Sequence, residues 1–433
     1  MMTPLPHQIA GARFLAARTF AVLADEPRVG KTGAAIMAAD MALVENVLVV
    51  TTASGRPVWR RGFEDWQFLP RRIEVAAPKK LPSEHAQAVI VGWPTVANPH
   101  LHHALRKRRW DAIILDESHY AKNFGAKRTQ AVFGEHALAA ASDRVWCLTG
   151  TPMPTSPLDL FPMLRFGAPE RIDPYLDEDS FLDQFCVWRP KRLNAWSTIK
   201  VVMEGKNLGD LRQRLDGLLL RRTQQDVGIT SPIFDLLPVE VPDRARREAE
   251  KEADLAAVMK AIDSGSTRDL EMHLGPLRRL TGGLKTAPVV DLVKDEFECG
   301  LDKVVLAFWH TDVGAALAEG LAKFGVVGID GATSAAQREA NVAAFSKPTG
   351  PRVFLAQIQA AGEAIDLSAA AELIFVEMSF VPKDGQQMAM RVTNHNQTRR
   401  PRVRVATMAG SIDEPIQQSL LRRIRTIQEV LAK

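Results

Sequence analysis

The sequence feature that most constrains the fold is a set of short apolar runs that do not alternate. Phe20–Ala24, Val47–Thr51, Ala88–Val91, Ala112–Leu115 and Val145–Leu148 are near-continuous apolar stretches separated by helical patterns such as Thr32–Leu43. A strand with one wet face alternates apolar and polar residues, whereas a strand covered on both faces does not. Strands of this kind separated by helices predict a parallel sheet with right-handed crossovers. The pattern restarts late in the chain at Lys303–Phe308, Val326–Ile329, Val353–Ala356, Leu373–Val376 and Val403–Ala406. There Ser334, with Gln337 three residues on, signals the start of a helix running to about Phe345.

The fold class expected is therefore α/β, with two lobes built on parallel sheets. The stretch between them is rich in proline at its start (Pro152, Pro154, Pro157, Pro162, Pro169, Pro174) and densely charged from Arg244 to Leu280. It reads as a mainly helical insertion. The expected domains are residues 1–152, an insertion and linker over 153–286, and a second lobe over 287–433 ending in a helix from Asp413 to Lys433. With 46% hydrophobic and 24% charged residues, the 433-residue chain has the composition of a globular protein, which excludes a disordered chain, a collagen-like fibre or a coiled-coil rod.

The first run leads into Asp25-Glu-Pro-Arg-Val-Gly-Lys-Thr32 and then a helix. A loop placed so, at a helix N-terminus, offers backbone N–H groups to phosphates. Lys31 would reach the β/γ-phosphates of a nucleotide and the Thr32 hydroxyl would hold Mg²⁺. Asp25 and Arg28 stand where such loops commonly carry glycine, so the loop alone leaves a chance surface turn open. The run Ala112–Leu115 ends in Asp116-Glu117. Asp116 at a strand tip can hold Mg²⁺ through water, and Glu117 can polarise an attacking water. Strand ends also carry surface acids, but the loop upstream favours the catalytic reading.

Other chemistries find little support. Cys147, Cys186 and Cys299 are scattered and odd in number, which argues for reduced thiols rather than a disulfide framework or zinc ribbon. His100, His102 and His103 lack further ligands at metal spacing and read as a solvated loop. There is no apolar signal core at the N-terminus and no run long enough to span a membrane. The expected location is the cytoplasm, with no membrane partner.

A net charge of +4 identifies no ligand by itself. Clustering says more. Arg60-Arg61, Arg106–Arg109, Arg221-Arg222 and Arg399-Arg400 with Arg402 and Arg404 are basic runs in both halves. Beside a nucleotide motif they suggest a groove that follows a nucleic-acid backbone without reading bases. Trp59, Trp66 and Trp110 could stack on bases, but core packing is the stronger reading.

Taken in order, these motifs resemble the Swi/Snf-type ATPases of helicase superfamily 2, from about Leu5 to Asn396. Leu5-Pro-His-Gln8 resembles the family's opening, Asp25–Thr32 its motif I, Asp116–His119 motif II and Leu148–Pro152 motif III. Val49–Trp66 is similar to the segment around motif Ia. Leu220-Arg-Arg-Thr-Gln-Gln-Asp-Val227 resembles the stretch between the lobes, Lys303–His310 motif IV, Gln359–Leu367 motif V and Gln387–Gln397 motif VI. Leu280–Lys285 and the form of motif V look nearest to the annealing-helicase, HARP-like branch.

The resemblance implies two RecA-like lobes that sandwich ATP and ride along duplex DNA. It implies that Gln8 reads adenine and that Gly30, Lys31, Thr32 and Asp116 hold MgATP. Thr149 and Thr151 would couple hydrolysis to the DNA track. Gly362, Asp366 and Gln387 would contribute from the second lobe, and Arg391 would act on the γ-phosphate. Two departures stand out: Arg28 replaces a glycine of motif I, and Asn394 replaces the second arginine of motif VI. The function expected is an ATP- and Mg²⁺-dependent translocase, acting as a monomer, that remodels or anneals duplex or forked DNA. A strand-separating DNA or RNA helicase and a low-turnover ATP-gated clamp are the alternatives.

Overall fold

A computed structural model describes residues 3–53, 55–154, 156–194, 197–244, 247, 267–361, 365–379, 382–394, 397, 399–411, 413–414 and 417–418. The chain divides into two compact units, Met1–Thr223 and Gln224–Lys433.

The first unit is built on a seven-stranded sheet in the order β3-β4-β2-β5-β6-β1-β9. Its strands are β1 Phe20–Leu23, β2 Val47–Thr51, β3 Ile73–Val75, β4 Ala88–Gly92, β5 Ala112–Asp116, β6 Val145–Leu148 and β9 Leu219–Leu220. Every neighbouring pair in it is parallel. The helices are α1 Pro6–Ala16, α2 Lys31–Met41, α3 Gly55–Trp66, α4 Pro99–Arg106, α5 Lys127–Phe133, α6 Phe161–Gly167, α7 Pro169–Ile172, α8 Glu178–Phe185 and α9 Leu208–Leu215. β1, β2, β4 and β6 are buried along their whole length, as their unbroken apolar runs require. Trp59 and Trp110 are fully buried, with Trp93 and Trp146, so neither is available to stack on a base.

The second unit carries a six-stranded parallel sheet in the order β10-β15-β14-β11-β13-β12. Its strands are β10 Ile233–Val239, β11 Val304–Phe308, β12 Val326–Ile329, β13 Val353–Gln357, β14 Glu372–Phe375 and β15 Arg402–Met408. Its helices are α10 Thr267–Glu298, α11 Thr311–Leu321, α12 Ala335–Ser346, α13 Ile358–Ala361 and α14 Pro382–Ala389. Ser334 caps α12 by accepting a hydrogen bond from the Gln337 amide at 3.3 Å. Gln337 does not complete a reciprocal box, because its side chain donates to Asn341 instead.

The stretch expected to be a helical insertion contains α6 to α9 and the start of α10, but also more strand than its sequence suggests. β7 Cys186–Asn194 and β8 Ser197–Gly205 form an antiparallel hairpin outside both large sheets. β9 completes the first sheet and β10 the edge of the second. β7 holds Pro190 and three basic residues, and β10 holds Asp235 and Pro238, so neither shows a continuous apolar run. Edge strands and exposed hairpins tolerate such residues because one side of their backbone needs no partner. Most of the terminal helix expected over Asp413–Lys433 lies outside the described residues.

The three cysteines are free thiols, Cys147 and Cys186 buried and Cys299 exposed. Among the described residues no cluster of three or more His, Cys, Asp or Glu could hold a metal, and no helix is long and apolar enough to cross a membrane.

Candidate nucleotide site

The site residues of the first unit gather at the carboxyl ends of β1, β5 and β6, where open parallel sheets place their ligands. β1 runs out through Ala24 into the loop 25–30, which turns into α2. Two residues of the loop have left-handed backbones: Gly30 with φ +96° and Arg28 with φ +72°. Glycine adopts this region freely, whereas an arginine there costs about 1 kcal/mol. Gly30 is also needed for space, because a Cβ at that position would collide with the Gln8 side-chain amide. Gln8 is buried and held by the Leu5 amide, which donates to Gln8 Oε1 at 2.8 Å. So Gln8 is placed against the loop that precedes Lys31.

Lys31 folds back over the loop, donating from Nζ to the carbonyls of Asp25 (2.7 Å) and Glu26 (3.2 Å). These carbonyls hold the ammonium where the loop and helix N-terminus meet. Thr32 follows on the first turn of α2, with its methyl against the position of Gly62 in α3.

At the tip of β5, Asp116 accepts hydrogen bonds at Oδ2 from Thr51 Oγ1 (2.6 Å) and Trp59 Nε1 (2.8 Å), and its carbonyl accepts from Trp93 Nε1 (2.7 Å). Burial and the neighbouring Glu117 carboxylate push its pKa up to about 6, against the two hydrogen bonds and Lys31, which favour the charged form. Glu117 has a left-handed backbone, φ +49°, which turns the chain at the strand tip. Its Oε2 lies 3.2 Å from His119 Nδ1, and that nitrogen is 3.0 Å from Thr149 Oγ1. The same hydroxyl accepts from the Thr151 amide at 3.1 Å. A chain of contacts thus links Glu117 through His119 to Thr149 and Thr151. Gly150, between the two threonines, packs on the loop: a Cβ there would meet Pro27 Cδ at 2.9 Å.

The basic pairs fare differently. Arg60 and Arg61 lie exposed on α3, one and two residues past the buried Trp59 that bonds Asp116. Arg60 is 3.5 Å from Glu64 on the same helix. Arg221 and Arg222, expected on a nucleic-acid face, are instead turned onto the phosphate-type loop. Arg222 Nε donates to Asp25 Oδ1 at 3.0 Å and its Nη2 pairs with Asp25 Oδ2. Arg221 donates to the Ala24 carbonyl and Glu26, each at 3.4 Å. Asp25 is a buried carboxylate, and an isolated buried charge is costly, so it takes up an arginine from far along the chain. Arg404 is likewise internal, buried between Glu296 and Glu372.

In the second unit Asp366 and Arg391 are knit into one turn. Asp366 Oδ1 accepts from the amide (3.0 Å) and hydroxyl (2.7 Å) of Ser368, and the Leu367 amide donates to the Arg391 carbonyl (3.0 Å). Asn394 donates to Ser368 Oγ at 3.1 Å. Gln387 and Arg391 are both buried, while Gly362 lies outside the described residues. Asn394 therefore has a defined task in bracing this turn.

Residues 7–238, just over half the chain, match the SNF2-related domain, and residues 290–396 match the helicase conserved C-terminal domain. The chain belongs to the SNF2-related family. Among curated relatives, the mouse DNA annealing helicase and endonuclease ZRANB3 is 25% identical, with 99% of this chain and 40% of the relative covered. The Drosophila melanogaster SWI/SNF-related matrix-associated actin-dependent regulator of chromatin subfamily A-like protein 1 is 26% identical over 99% of this chain and 55% of the relative. The chain spans about half or less of the length of these relatives. The Sulfolobus solfataricus SWI2/SNF2 ATPase core in complex with dsDNA is 19% identical, with 98% of this chain and 92% of that one covered and a TM-score of 0.46.

For this SNF2-related chain, the sequence reading located the loop, the acidic strand tip and the threonines that the structure brings together. Thr51, Trp59 and His119 fall inside motif segments matched in the sequence, but their bonds do not show there: Thr51, Trp59 and Trp93 surround Asp116, and His119 lies between Glu117 and Thr149. Trp59 beside Arg60-Arg61 was the one available signal, since a tryptophan fixed in a core still has an N–H that needs an acceptor.

Proposed function

We propose that this chain is a motor that hydrolyses ATP in order to move along or remodel duplex or forked DNA. The observation that carries this reading is the convergence, at one end of the sheet, of Lys31 on its loop with Asp116-Glu117 at the tip of β5. Glu117 orients the attacking water, a role suited to a carboxylate at the strand tip that is positioned by a turned backbone with His119 3.2 Å away. Lys31 leaves its carbonyls to meet the phosphates. Gln8, fixed against Gly30, is placed to read the base.

The Thr32 hydroxyl and the Asp116 carboxylate are the kind of oxygen donors that Mg²⁺ takes, and a cation beside the buried Asp116 would favour its charged form. When bound, Mg²⁺ would neutralise phosphate charge. Thr149 and Thr151 connect to Glu117 through His119, which is how a change at the site can reach motif III. Gly362, Asp366, Gln387 and Arg391 keep the nucleotide roles that the family resemblance implies. The exposed Arg60 and Arg61, on the helix whose Trp59 bonds Asp116, are the proposed DNA contacts.

A duplex-tracking protein should displace the third strand from a DNA triplex in an ATP-dependent manner while leaving a blunt duplex paired. Efficient separation of forked duplexes with no triplex displacement would instead support the strand-separating reading.

A further inference from the structure

Both basic residues that precede the unit boundary bend inward, and Arg222 does so into a slot built for it. β9 pairs with β1 through Val22↔Leu219 and Leu23↔Leu220, and the ladder continues past both strands. The Ala24 amide donates to the Leu220 carbonyl at 2.7 Å, and the Glu26 amide to the Arg222 carbonyl at 2.9 Å. The start of the phosphate-type loop, through Ala24 and Glu26, is therefore pinned backbone to backbone onto residues 220–222. The Arg222 guanidinium makes a two-pronged pair with Asp25 and donates from Nη1 to the His7 carbonyl. α1 leaves room for it at Gly11, where a Cβ would stand 2.7 Å from Arg222 Nη2. His7 in turn touches the Val29 carbonyl through Nε2 at 2.9 Å, so the guanidinium reaches both ends of the loop.

We infer that Arg222 is a positioning residue for the phosphate loop, tying the loop's geometry to the strand by which the chain leaves the first unit. The inference rests on the ATP reading above. Asp25 is gripped from two directions: its carboxylate by Arg222 and its carbonyl by Lys31. When Lys31 turns to a bound phosphate it gives up that carbonyl, and Arg222 is what keeps the loop in shape. The chain enters the second unit directly after Thr223. A shift of this connection therefore acts on Asp25 through Arg222, and by reciprocity a nucleotide in the loop favours one placement of residues 220–222. A lysine cannot replace the fork, because a single ammonium cannot span both carboxylate oxygens and the His7 carbonyl.

The test uses Arg222→Lys and Gly11→Ala. Gly11→Ala leaves every charged group in place and only crowds the guanidinium. The readouts are thermal midpoint, KM for MgATP, and the DNA concentration giving half-maximal stimulation. Arg222→Lys should raise the KM for MgATP about tenfold, the worth of one charge-assisted hydrogen bond, with its DNA requirement unchanged. Gly11→Ala should shift the same KM in the same direction by a smaller factor. Wild-type KM values in both variants, with or without a lowered thermal midpoint, would make Arg222 a purely structural residue and overturn the inference. If the wild-type chain itself neither binds nor hydrolyses ATP, it is the proposed function that fails.

Discussion

Two arginine pairs look alike in the sequence and do opposite things in the fold. Arg60-Arg61 sits exposed on α3, with Arg60 beside Glu64 of the same helix. Arg221-Arg222 follows a two-residue strand and turns inward onto Asp25 and Glu26. The difference lies in their partners. α3 has no buried acid of its own to satisfy, whereas the strand β1 leads into Asp25, a carboxylate with almost no exposure. A basic run is a nucleic-acid footprint only when no buried acid competes for it. The first pair is therefore the one left open to a ligand and proposed above for DNA, and the second belongs to the architecture of the Asp25–Gly30 loop.

The largest effect should come from a residue outside both pairs, which sets the scale for them. Glu117→Gln should lower ATP turnover about 10³-fold while leaving ATP and DNA binding intact, because the amide keeps the shape and loses the base. Single-turnover hydrolysis beside equilibrium binding of both ligands checks this.

Next in size is the stability difference between the pairs. Asp25→Asn leaves the half-buried Arg222 charge without its carboxylate and should cost about 2 kcal/mol of unfolding free energy. Arg61→Ala should change stability by no more than about 0.5 kcal/mol, as for most surface positions. Urea unfolding of the two variants measures both, and equal losses would erase the distinction between the pairs.

The smallest effect is also the most specific. Removing Arg60 or Arg61 should make the log–log dependence of duplex affinity on salt shallower by about 0.9 for each phosphate that is no longer neutralised. Arg222→Gln, which removes the charge, should leave that slope where it was. If the slope follows Arg222 and ignores α3, the two pairs have been assigned the wrong way round.

The same contrast explains what could be read in the sequence. Strands buried on both faces announce themselves, so β1, β2, β4, β5, β6 and the centre of the second sheet were legible. The hairpin β7–β8 and the edge strand β10 carry charge and proline, and their pairing is decided by tertiary contacts rather than local pattern. The Gly-Lys-Thr loop and the Asp-Glu strand tip were legible because the chemistry demands particular residues next to particular elements. The Asp25–Arg222 pair joins residues 197 apart, and no local signal marks it. What could have hinted at it is an acid set just after an apolar strand, where burial leaves it in need of a cation. Asn394 was visible as a departure from the family pattern, but its bond to Ser368 could be seen only once the turn at 366–368 was built.

The central claim is that this chain couples ATP hydrolysis to duplex DNA. The most direct measurement is the steady-state ATPase rate with and without duplex DNA, in the presence of Mg²⁺, for the wild type beside Glu117→Gln. The account predicts a rate that rises strongly with duplex DNA, saturates with DNA concentration and vanishes in Glu117→Gln. A rate that ignores DNA, or that survives in Glu117→Gln, would contradict it.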